Sequence, residues 1–382
     1  MNKKPVSLYI HMPWCIKKCP YCDFNSHTIN GNIPEKKYIQ HLIKDLKIDV
    51  EEYNIYDRPV KTIFFGGGTP SLITPSGYDE LLSGIKLLLP FQKNIEITME
   101  ANPGTLEHKP FQEYINAGIN RFSVGVQSFN NEHLNILGRI HSNQNAITAL
   151  EELRELRELN ITSYNLDLMH GLPQQNIKQA LSDLHTAIKL NVPHISWYQL
   201  TIEPHTMFSS RPPTLPSDDI LWLIYKEGIE LLKDNGYEQY EISAFSKQNH
   251  ACDHNLNYWE FGDYLGVGCG ASGKITTNSK QVIRTEKVKH PKGYLEAKDN
   301  YIKFKSNVTG DDLVFEYFLN RCRLMNGFSK QDFEHKTGLK LDNLEPKLNI
   351  AQKKGLITYQ NDFVTVTTLG HRYLNNLLEL FI

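Results

Sequence analysis

The sequence predicts an α/β fold: a partial (β/α)6 barrel of the TIM type, followed by a small C-terminal α+β domain of winged-helix type. Short segments rich in β-branched and aromatic residues alternate with segments of helical periodicity from residue 6 to residue 244. This alternation is typical of a parallel sheet or barrel. Polar residues or glycines also stand at the C-terminal ends of the predicted strands, and that end is the functional face of a β/α barrel.

The predicted elements follow from local patterns. Strands are short apolar runs bounded by turn residues, and the first helix carries Tyr38, Leu42 and Leu46 at a spacing of four. The predicted strands are Val6–His11, Thr62–Phe65, Ile95–Glu100, Arg121–Val126, Ser163–Leu168, Ile195–Leu200 and Tyr240–Ala244. The predicted helices are Pro34–Tyr53, Pro75–Leu89, Leu106–Ala117, Asn143–Leu159, Ile177–Leu190 and Asp218–Asn235.

The pattern changes beyond about residue 300. A hairpin over Leu356–Val366 and a last helix over Leu369–Leu380 are predicted there, after three helices: Asp311–Met325, Lys330–Lys336 and Leu344–Lys354. We therefore expect a barrel over 1–240, a connecting segment over 241–300 and a C-terminal domain over 301–382. Winged-helix domains often bind DNA, but the chain has no basic surplus, which favours a packing or interaction role.

Composition narrows the class of protein. The chain has 382 residues with a net charge of -2 and 40% hydrophobic residues, as is ordinary for a globular protein. No apolar run approaches the roughly 20 residues that a membrane span needs, and no signal-peptide pattern follows the first lysines. We expect a cytoplasmic protein without a nucleic-acid partner, and the sequence leaves weak membrane association open.

Three of the six cysteines fall within eight residues, at Cys15, Cys19 and Cys22. Thiols stay reduced in the cytoplasm, so a tight group favours metal binding over disulfides. Zinc sites usually take four ligands, often as two separated pairs, and no second pair follows here. A zinc site completed by His11 or His27, or three ordinary buried thiols, remain the alternatives to an iron–sulfur cluster.

A C-x3-C-x2-C motif directly after the first strand of a β/α barrel resembles the radical S-adenosylmethionine (SAM) superfamily. The resemblance implies a [4Fe-4S] cluster on the three cysteines, with one iron open to the amino and carboxylate groups of SAM. Gly66-Gly67-Gly68-Thr69-Pro70 follows the second strand and resembles the superfamily's glycine motif for SAM. Taken alone, the glycines would indicate only a tight turn.

Further motifs resemble the oxygen-independent coproporphyrinogen III oxidase group: YIHMPWC, CPYCDF, FFGGGTPSLI, MEANP, RFSVGVQSF, NLDLMHGLP and YQLTIEP. The resemblance covers about residues 6–275 and extends to the C-terminal domain. It implies that the following residues border the cluster and SAM: Tyr9, Tyr21, Gly67, Gly68, Thr69, Glu100, Gln127, Arg139 and Asp167. Each also has a structural interpretation, such as loop capping by the carboxylates or a surface ion pair for the arginine.

This group has two branches, the true oxidases and the heme chaperones, and the sequence differs between them at a few positions. True oxidases, which decarboxylate coproporphyrinogen III, carry a further cysteine where this chain has Phe24, and they have a longer segment before the cluster. The other branch consists of heme chaperones, which the segment from His254 to Trp259, HNLNYW, resembles through an HNxxYW pattern. The resemblance implies heme at His254, since imidazole is a common axial ligand of heme iron.

The sequence thus favours a heme chaperone that carries a [4Fe-4S] cluster and SAM and delivers heme to an acceptor protein, for which a respiratory heme enzyme is a candidate. The alternative is the radical decarboxylase of porphyrin biosynthesis. A third hypothesis is a zinc protein linked to nucleic acid through its C-terminal domain. His254 also has a structural interpretation, as a buried histidine beside core aromatics Tyr258 and Trp259.

Overall fold

One large mixed sheet organises the protein in the computed structural model, which describes residues 4–104, 110–156 and 161–382. The strands up to the middle of the chain are β1 (Val6–Met12), β2 (Trp14–Cys15), β3 (His27–Thr28), β4 (Val60–Gly67), β5 (Phe91–Ala101), β6 (Arg121–Gln127), β7 (Ser163–His170) and β8 (His194–Gln199). The later strands are β9 (Glu238–Glu241), β10 (Ala244–Ser246), β11 (Tyr264–Val267), β12 (Ser272–Thr276), β13 (Val282–Lys287), β14 (Ile302–Val308), β15 (Phe328–Ser329), β16 (Ile357–Gln360) and β17 (Phe363–Val366).

Helices cover the outer face of this sheet and build the C-terminal domain. The earlier ones are α1 (Glu35–Tyr53), α2 (Pro75–Leu88), α3 (Phe111–Asn116), α4 (Asn131–Ile136), α5 (Asn143–Leu156), α6 (Ile177–Lys189), α7 (Met207–Ser210), α8 (Asp218–Asp234) and α9 (Asp253–Trp259). The later ones are α10 (Pro291–Glu296), α11 (Gly310–Arg321), α12 (Lys330–Thr337), α13 (Glu345–Lys353), α14 (Thr368–Arg372) and α15 (Leu374–Leu378).

Six parallel strands form the barrel part of the sheet. The order is β14-β13-β12-β11-β1-β4-β5-β6-β7-β8-β10-β9, and neighbours from β1 to β8 pair in parallel. Because a helix follows each of the parallel strands from β4 to β8, the strands all point their C-terminal ends to the same side. The predicted partial (β/α)6 barrel is confirmed.

Several boundaries differ from the prediction. The predicted strand Tyr240–Ala244 is wrong, because the chain turns there and forms two short antiparallel strands, β9 and β10. The last helix is also shorter than predicted and breaks at Tyr373, whose φ of -113° and ψ of 44° end α14. Parts of two predicted helices, residues 106–109 and 157–159, lie outside the described residues.

The predicted connecting segment, 241–300, contributes strands to the sheet. In this segment β11 pairs in parallel with β1, and β12 and β13 then follow as an antiparallel meander that β14 extends. Helix α9 lies before β11 and contacts β4. The division of the chain at residues 240 and 300 stays a prediction.

Two large apolar cores and one smaller cluster hold the described layers together. The larger one fills the space between the barrel strands and their helices, with fully buried Tyr38, Phe65 and Phe122 among its largest side chains. The second core lies in the C-terminal domain, where the rings of Phe318 and Phe381 stack with centroids 3.7 Å apart. Among the described residues, no helix combines the length and apolar character needed to cross a membrane.

Candidate functional site

The three clustered cysteines lie on one loop beyond β1. Strands β2 and β3 pair in parallel and close the loop at its base, so that Cys15 lies on a strand and Cys19 and Cys22 lie in the loop. The Cys22 amide donates to the carbonyl of Cys19 at 3.2 Å, and the Cys22 sulfur lies 3.8 Å from the hydroxyl of Ser26. All three thiols are free of disulfides.

A cavity of about 600 Å³, the outer cavity, opens at the C-terminal ends of the barrel strands. Its volume falls in the range of cofactor and substrate sites. All the predicted site residues except Tyr9 and His254 line it: Cys15, Cys19, Tyr21, Cys22, Gly67, Gly68, Thr69, Glu100, Gln127, Arg139 and Asp167. The fold therefore brings together residues that are separated by up to about 150 positions in sequence.

The glycine triplet lets the end of β4 approach the cysteine strand. A Cβ on Gly68 would lie 2.5 Å from the carbonyl oxygen of Trp14, and the Gly68 amide donates to the carbonyl of Met12 at 2.7 Å. Gly67 has a φ of +114°, and a Cβ there would lie 2.3 Å from the ring of His11. Only glycine fits these two positions, because any larger residue would push the triplet away from the cysteine loop.

Arg139 connects the cysteine loop to the barrel. Its Nη1 donates toward the sulfur of Cys19 at 3.6 Å, and its Nη2 donates to the carbonyl of Gly125 at 2.7 Å. The same nitrogen also donates to the side-chain oxygen of Asn102. A fixed cation beside a sulfur stabilises negative charge there, as a thiolate-held cluster requires.

Two carboxyl groups face the outer cavity: Glu100 on β5 and Asp167 on β7, the strands on either side of β6. Burial and, to a smaller extent, the neighbouring Asp167 raise the pKa of Glu100 to about 8, and a hydrogen bond from the Gly67 amide at 3.0 Å opposes the shift. Burial also raises the pKa of Asp167, although Asn165 and Ser123 donate to its carboxylate at 2.7 and 3.1 Å. A cationic ligand would favour the ionised form of both groups.

Gln127 ends β6 in the left-handed region, with a φ of +71°. This conformation turns its side chain to the cavity, where the hydroxyl of Tyr198 donates to its amide oxygen at 2.8 Å. Sequence reasoning missed Tyr198 and Asn102 as cavity residues. Both lie in motifs quoted above and could have been found from them: Asn102 in MEANP, two residues beyond Glu100, and Tyr198 at the start of YQLTIEP.

A second cavity of about 610 Å³, the inner cavity, lies in the interior of the barrel and shares Glu100, Asp167 and Trp259 with the outer cavity. Aromatic side chains form one of its sides: Tyr9, Phe64, Tyr258, Trp259 and Tyr264. TIM barrels usually fill this interior with bulky branched residues. Here polar side chains take the place of many of these branched residues, and the interior keeps a cavity that can hold a ligand.

Strand register explains the polar interior. The parallel pairing places Ser123 beside Asn165 and Asn165 beside His194, and all three line the inner cavity. The side-chain oxygen of Asn165 accepts from the amide of Ser196 at 3.1 Å and lies 2.6 Å from Nδ1 of His194. Such a layer consists of residues at matching register in neighbouring strands, and because side chains alternate along a strand, the next layer lies two residues away.

His254 lies behind the wall of the inner cavity, with 1% of its surface exposed. Its Nδ1 is 2.7 Å from the hydroxyl of Thr62 and its Nε2 is 3.0 Å from the hydroxyl of Tyr258. Burial lowers its pKa to about 3, so the imidazole is neutral. His254 is therefore buried, as its structural interpretation predicted. Tyr258 and Trp259 of the same motif line the cavity.

The donor set fits a thiolate-held cluster better than a single zinc ion. Nδ1 of His11 is 2.9 Å from the Tyr9 hydroxyl and its Nε2 is 2.8 Å from the carbonyl of Asn25, so both nitrogens are engaged. Within 4–104, 110–156 and 161–382, no three histidine, cysteine or acidic residues group closely enough for one metal ion. Three thiols around one cavity suit several irons bridged by sulfide.

Comparison with known proteins agrees with this geometry. Residues 9–184 match the radical SAM superfamily, and residues 308–372 match the HemN C-terminal domain. The chain is 50% identical over 378 residues to the heme chaperone HemW of Escherichia coli (strain K12), covering 99% of this chain and 98% of the relative. It is 33% identical over 382 residues to the heme chaperone HemW of Bacillus subtilis (strain 168), covering 98% and 99%.

A solved structure shows the same fold. The coproporphyrinogen III oxidase HemN from Escherichia coli, described as a radical SAM enzyme, superposes with a TM-score of 0.82 at 23% identity, covering 100% of this chain and 91% of the other. At that identity the likeness concerns the fold alone. The full-length identity to the heme chaperones is what decides the family. The chain belongs to the HemW family within the radical SAM superfamily.

Proposed function

We propose that the protein is a heme chaperone, which binds heme and transfers it to an acceptor protein while carrying a [4Fe-4S] cluster and SAM. The observation that carries the proposal is the outer cavity, where three free cysteines and the residues expected around SAM meet. Full-length relatives that are 50% identical to this chain bear the name heme chaperone HemW.

Cys15, Cys19 and Cys22 would hold the cluster. Burial raises the pKa of the Cys15 thiol to about 11, so this thiol is protonated until metal binding displaces the proton. When bound, a reduced cluster supplies an electron that can cleave SAM. Arg139 holds a positive charge beside the Cys19 sulfur, and the glycine triplet keeps the cavity wall close to the loop.

SAM would lie against the wall formed by Gly67, Gly68 and Thr69. The amides of Gly68 and Thr69 already donate to the carbonyls of Met12 and Trp14 at 2.7 Å, so the carbonyl oxygens of this wall are the groups left for a ligand amine. Glu100 and Asp167 accept hydrogen bonds from an amine or from ribose hydroxyls. Gln127, fixed by Tyr198, completes this polar side.

Heme would be received by the aromatic side of the inner cavity. Tyr258 and Trp259 offer flat surfaces to a porphyrin, and Asn255 lines both cavities between them. His254 can serve as an axial ligand only after its Nε2 leaves the hydroxyl of Tyr258, 3.0 Å away. Binding of heme at His254 therefore requires a local opening of α9.

The remaining partner is the protein that accepts heme. We assign no nucleic acid to this protein and propose a cytoplasmic location, with weak association to a membrane left open. The C-terminal domain, with helices α11 to α13 and the hairpin of β16 and β17, is the candidate contact surface for the acceptor.

The test is heme binding by the cluster-loaded protein. The protein is purified without oxygen, its cluster is reconstituted, and heme is titrated in while the Soret band is recorded. Saturation near one heme per chain, without turnover of coproporphyrinogen III, is the expected result. Formation of protoporphyrinogen from coproporphyrinogen, or an absent Soret response with an intact cluster, would overturn the chaperone proposal.

A further inference from the structure

Arg121 places a buried cation in the barrel interior. It begins β6, pairs with Thr98 and Ser163 of the flanking strands, and has only 2% of its surface exposed. Its side chain lines the inner cavity, one layer below Ser123. A charged side chain rarely occupies such a position unless it is paired or has a functional role.

The protein itself uses only part of this guanidinium. Its Nε forms an ion pair with a carboxylate oxygen of Glu96 at 3.6 Å, a separation too long for a hydrogen bond. That carboxylate already accepts from the amides of Asp253 and His254 at 3.1 and 3.0 Å, at the start of α9. Nε and Nη2 of Arg121 are buried without a hydrogen-bond partner. Leaving buried donors unpaired is unfavourable, so a carboxylate that reached them would gain hydrogen bonds that the protein does not supply.

The chemistry of the cavity indicates what this ligand carries. A guanidinium presents a planar fork that matches a carboxylate with two parallel hydrogen bonds. The other acids of this cavity, Glu100 and Asp167, accept hydrogen bonds from the Gly67 amide and from Asn165 and Ser123, so these bonds do not engage the guanidinium. The aromatic side formed by Tyr258, Trp259 and Tyr264 faces the same cavity.

We propose that Arg121 is the carboxylate anchor of the inner cavity, and that it binds a propionate of heme while Tyr258 and Trp259 contact the macrocycle. This inference rests on the proposed function and deepens it, because it names the part of heme that the site recognises. Arg121 thereby orients the porphyrin and fixes which edge enters the barrel.

The test compares heme with its dimethyl ester, in which both propionates are neutral. Each compound is titrated into the cluster-loaded protein, into Arg121→Gln and Arg121→Lys, and into Arg321→Gln, a buried arginine of the C-terminal domain that serves as control. We expect the protein to bind heme roughly tenfold or more tightly than the ester, because hydrogen bonds to a charged carboxylate are stronger than those to a neutral ester. Arg121→Gln removes this preference, Arg121→Lys keeps part of it, and Arg321→Gln keeps all of it.

Two results would overturn the anchor. Equal affinity of the unmodified protein for heme and for the ester would show that the protein does not recognise a charged propionate. This result is valid even if Arg121→Gln does not fold. An undiminished preference in a folded Arg121→Gln places the propionate elsewhere. Failure of the unmodified protein to bind either compound is distinguishable, because it overturns the chaperone proposal itself together with the anchor.

Discussion

The side-chain amide of Asn25 donates hydrogen bonds to the backbone carbonyl of Cys269 at 3.0 Å and to that of Lys289 at 2.9 Å. Asn25 follows Cys22 by three residues, so this amide ties the end of the cysteine loop to the turn between β11 and β12 and to the chain after β13. Gly270 permits the contact, because a Cβ there would lie 2.2 Å from the Asn25 nitrogen.

Asn25→Ala should loosen the cysteine loop without changing a thiol. The hydrogen bonds to Cys269 and Lys289 are lost, together with the contact between the Asn25 Oδ1 and Nε2 of His27 at 3.3 Å, which destabilises the loop by about 1–3 kcal/mol. The expected result is faster loss of the cluster's visible absorbance on exposure to air. Asn30→Ala, an exposed asparagine on the same segment, is the matched control and should lose its cluster at the rate of the unmodified protein. Equal rates for both variants would show that Asn25 does not support the loop.

Arg139→Gln should lower the reduction potential of the cluster. Removal of the positive charge 3.6 Å from the Cys19 sulfur disfavours the more negative, reduced state. A shift of tens of millivolts is expected, since roughly 1 kcal/mol of charge interaction equals about 40 mV for one electron. A redox titration followed by electron paramagnetic resonance (EPR) measures the shift. Arg139→Lys keeps the charge and should shift the potential less, and the opposite order would contradict the assignment.

The raised pKa of Glu100 predicts that the stability of the protein depends on pH. Its pKa is about 8 in the folded protein, so between about pH 4.5 and 8 the folded state holds a proton that the unfolded state has lost. The contribution of Glu100 to the free energy of unfolding is therefore present in acid and falls as the pH rises through this window. Above pH 8 no further loss is expected from this group.

Urea unfolding at pH 5.5 and pH 8 measures this effect in the protein without cluster or SAM. Relative to Glu100→Gln, which cannot ionise, the unmodified protein should lose about 1–3 kcal/mol of unfolding free energy between the two pH values. An unchanged difference between the two proteins would mean that Glu100 titrates near its ordinary pKa.

The contributions of His254 and Tyr258 to stability can be distinguished with two variants. His254→Ala removes the hydrogen bonds of the ring to the hydroxyls of Thr62 and Tyr258 and opens a cavity, so about 2–4 kcal/mol of unfolding free energy should be lost. Tyr258→Phe removes only the bond to Nε2 and should cost about 1 kcal/mol.

Heme titration of the same pair tests axial ligation. If Nε2 coordinates iron, Tyr258→Phe frees the nitrogen and binds heme at least as tightly as the unmodified protein, whereas His254→Ala binds roughly tenfold more weakly. Unchanged affinity in a folded His254→Ala would leave His254 with its structural role alone.

The sequence predicted most of the barrel because its strands and helices carry strong local patterns. The residues at the strand ends, such as Glu100 and Gln127, could be found from motifs, and the fold places both in the outer cavity. The extension of the sheet by β11 to β14 was not predicted, because β11 to β13 are short strands with no helix between them, and β11 and β14 show little alternation in burial.

Burial of His254 and the role of Arg121 depend on tertiary packing. The sequence HNLNYW does not indicate whether its histidine faces a cavity or the core. The orientation of His254 depends on the packing of α9 against β4. Arg121, in turn, looks like an ordinary residue at the start of a strand until the register places it in the barrel interior. No local pattern in a single sequence could separate these cases.

The most direct test of the account is the metal content of the three-cysteine site and its response to SAM. After anaerobic reconstitution, iron and sulfide are measured and the EPR spectrum of the reduced cluster is recorded with and without SAM, for the unmodified protein, Cys19→Ala and, as control, Cys322→Ala in the C-terminal core. We predict about four irons and four sulfides per chain and a spectrum that SAM changes, in the unmodified protein and in Cys322→Ala but not in Cys19→Ala. Zinc in place of iron, or a cluster whose spectrum SAM leaves unchanged, would contradict the account.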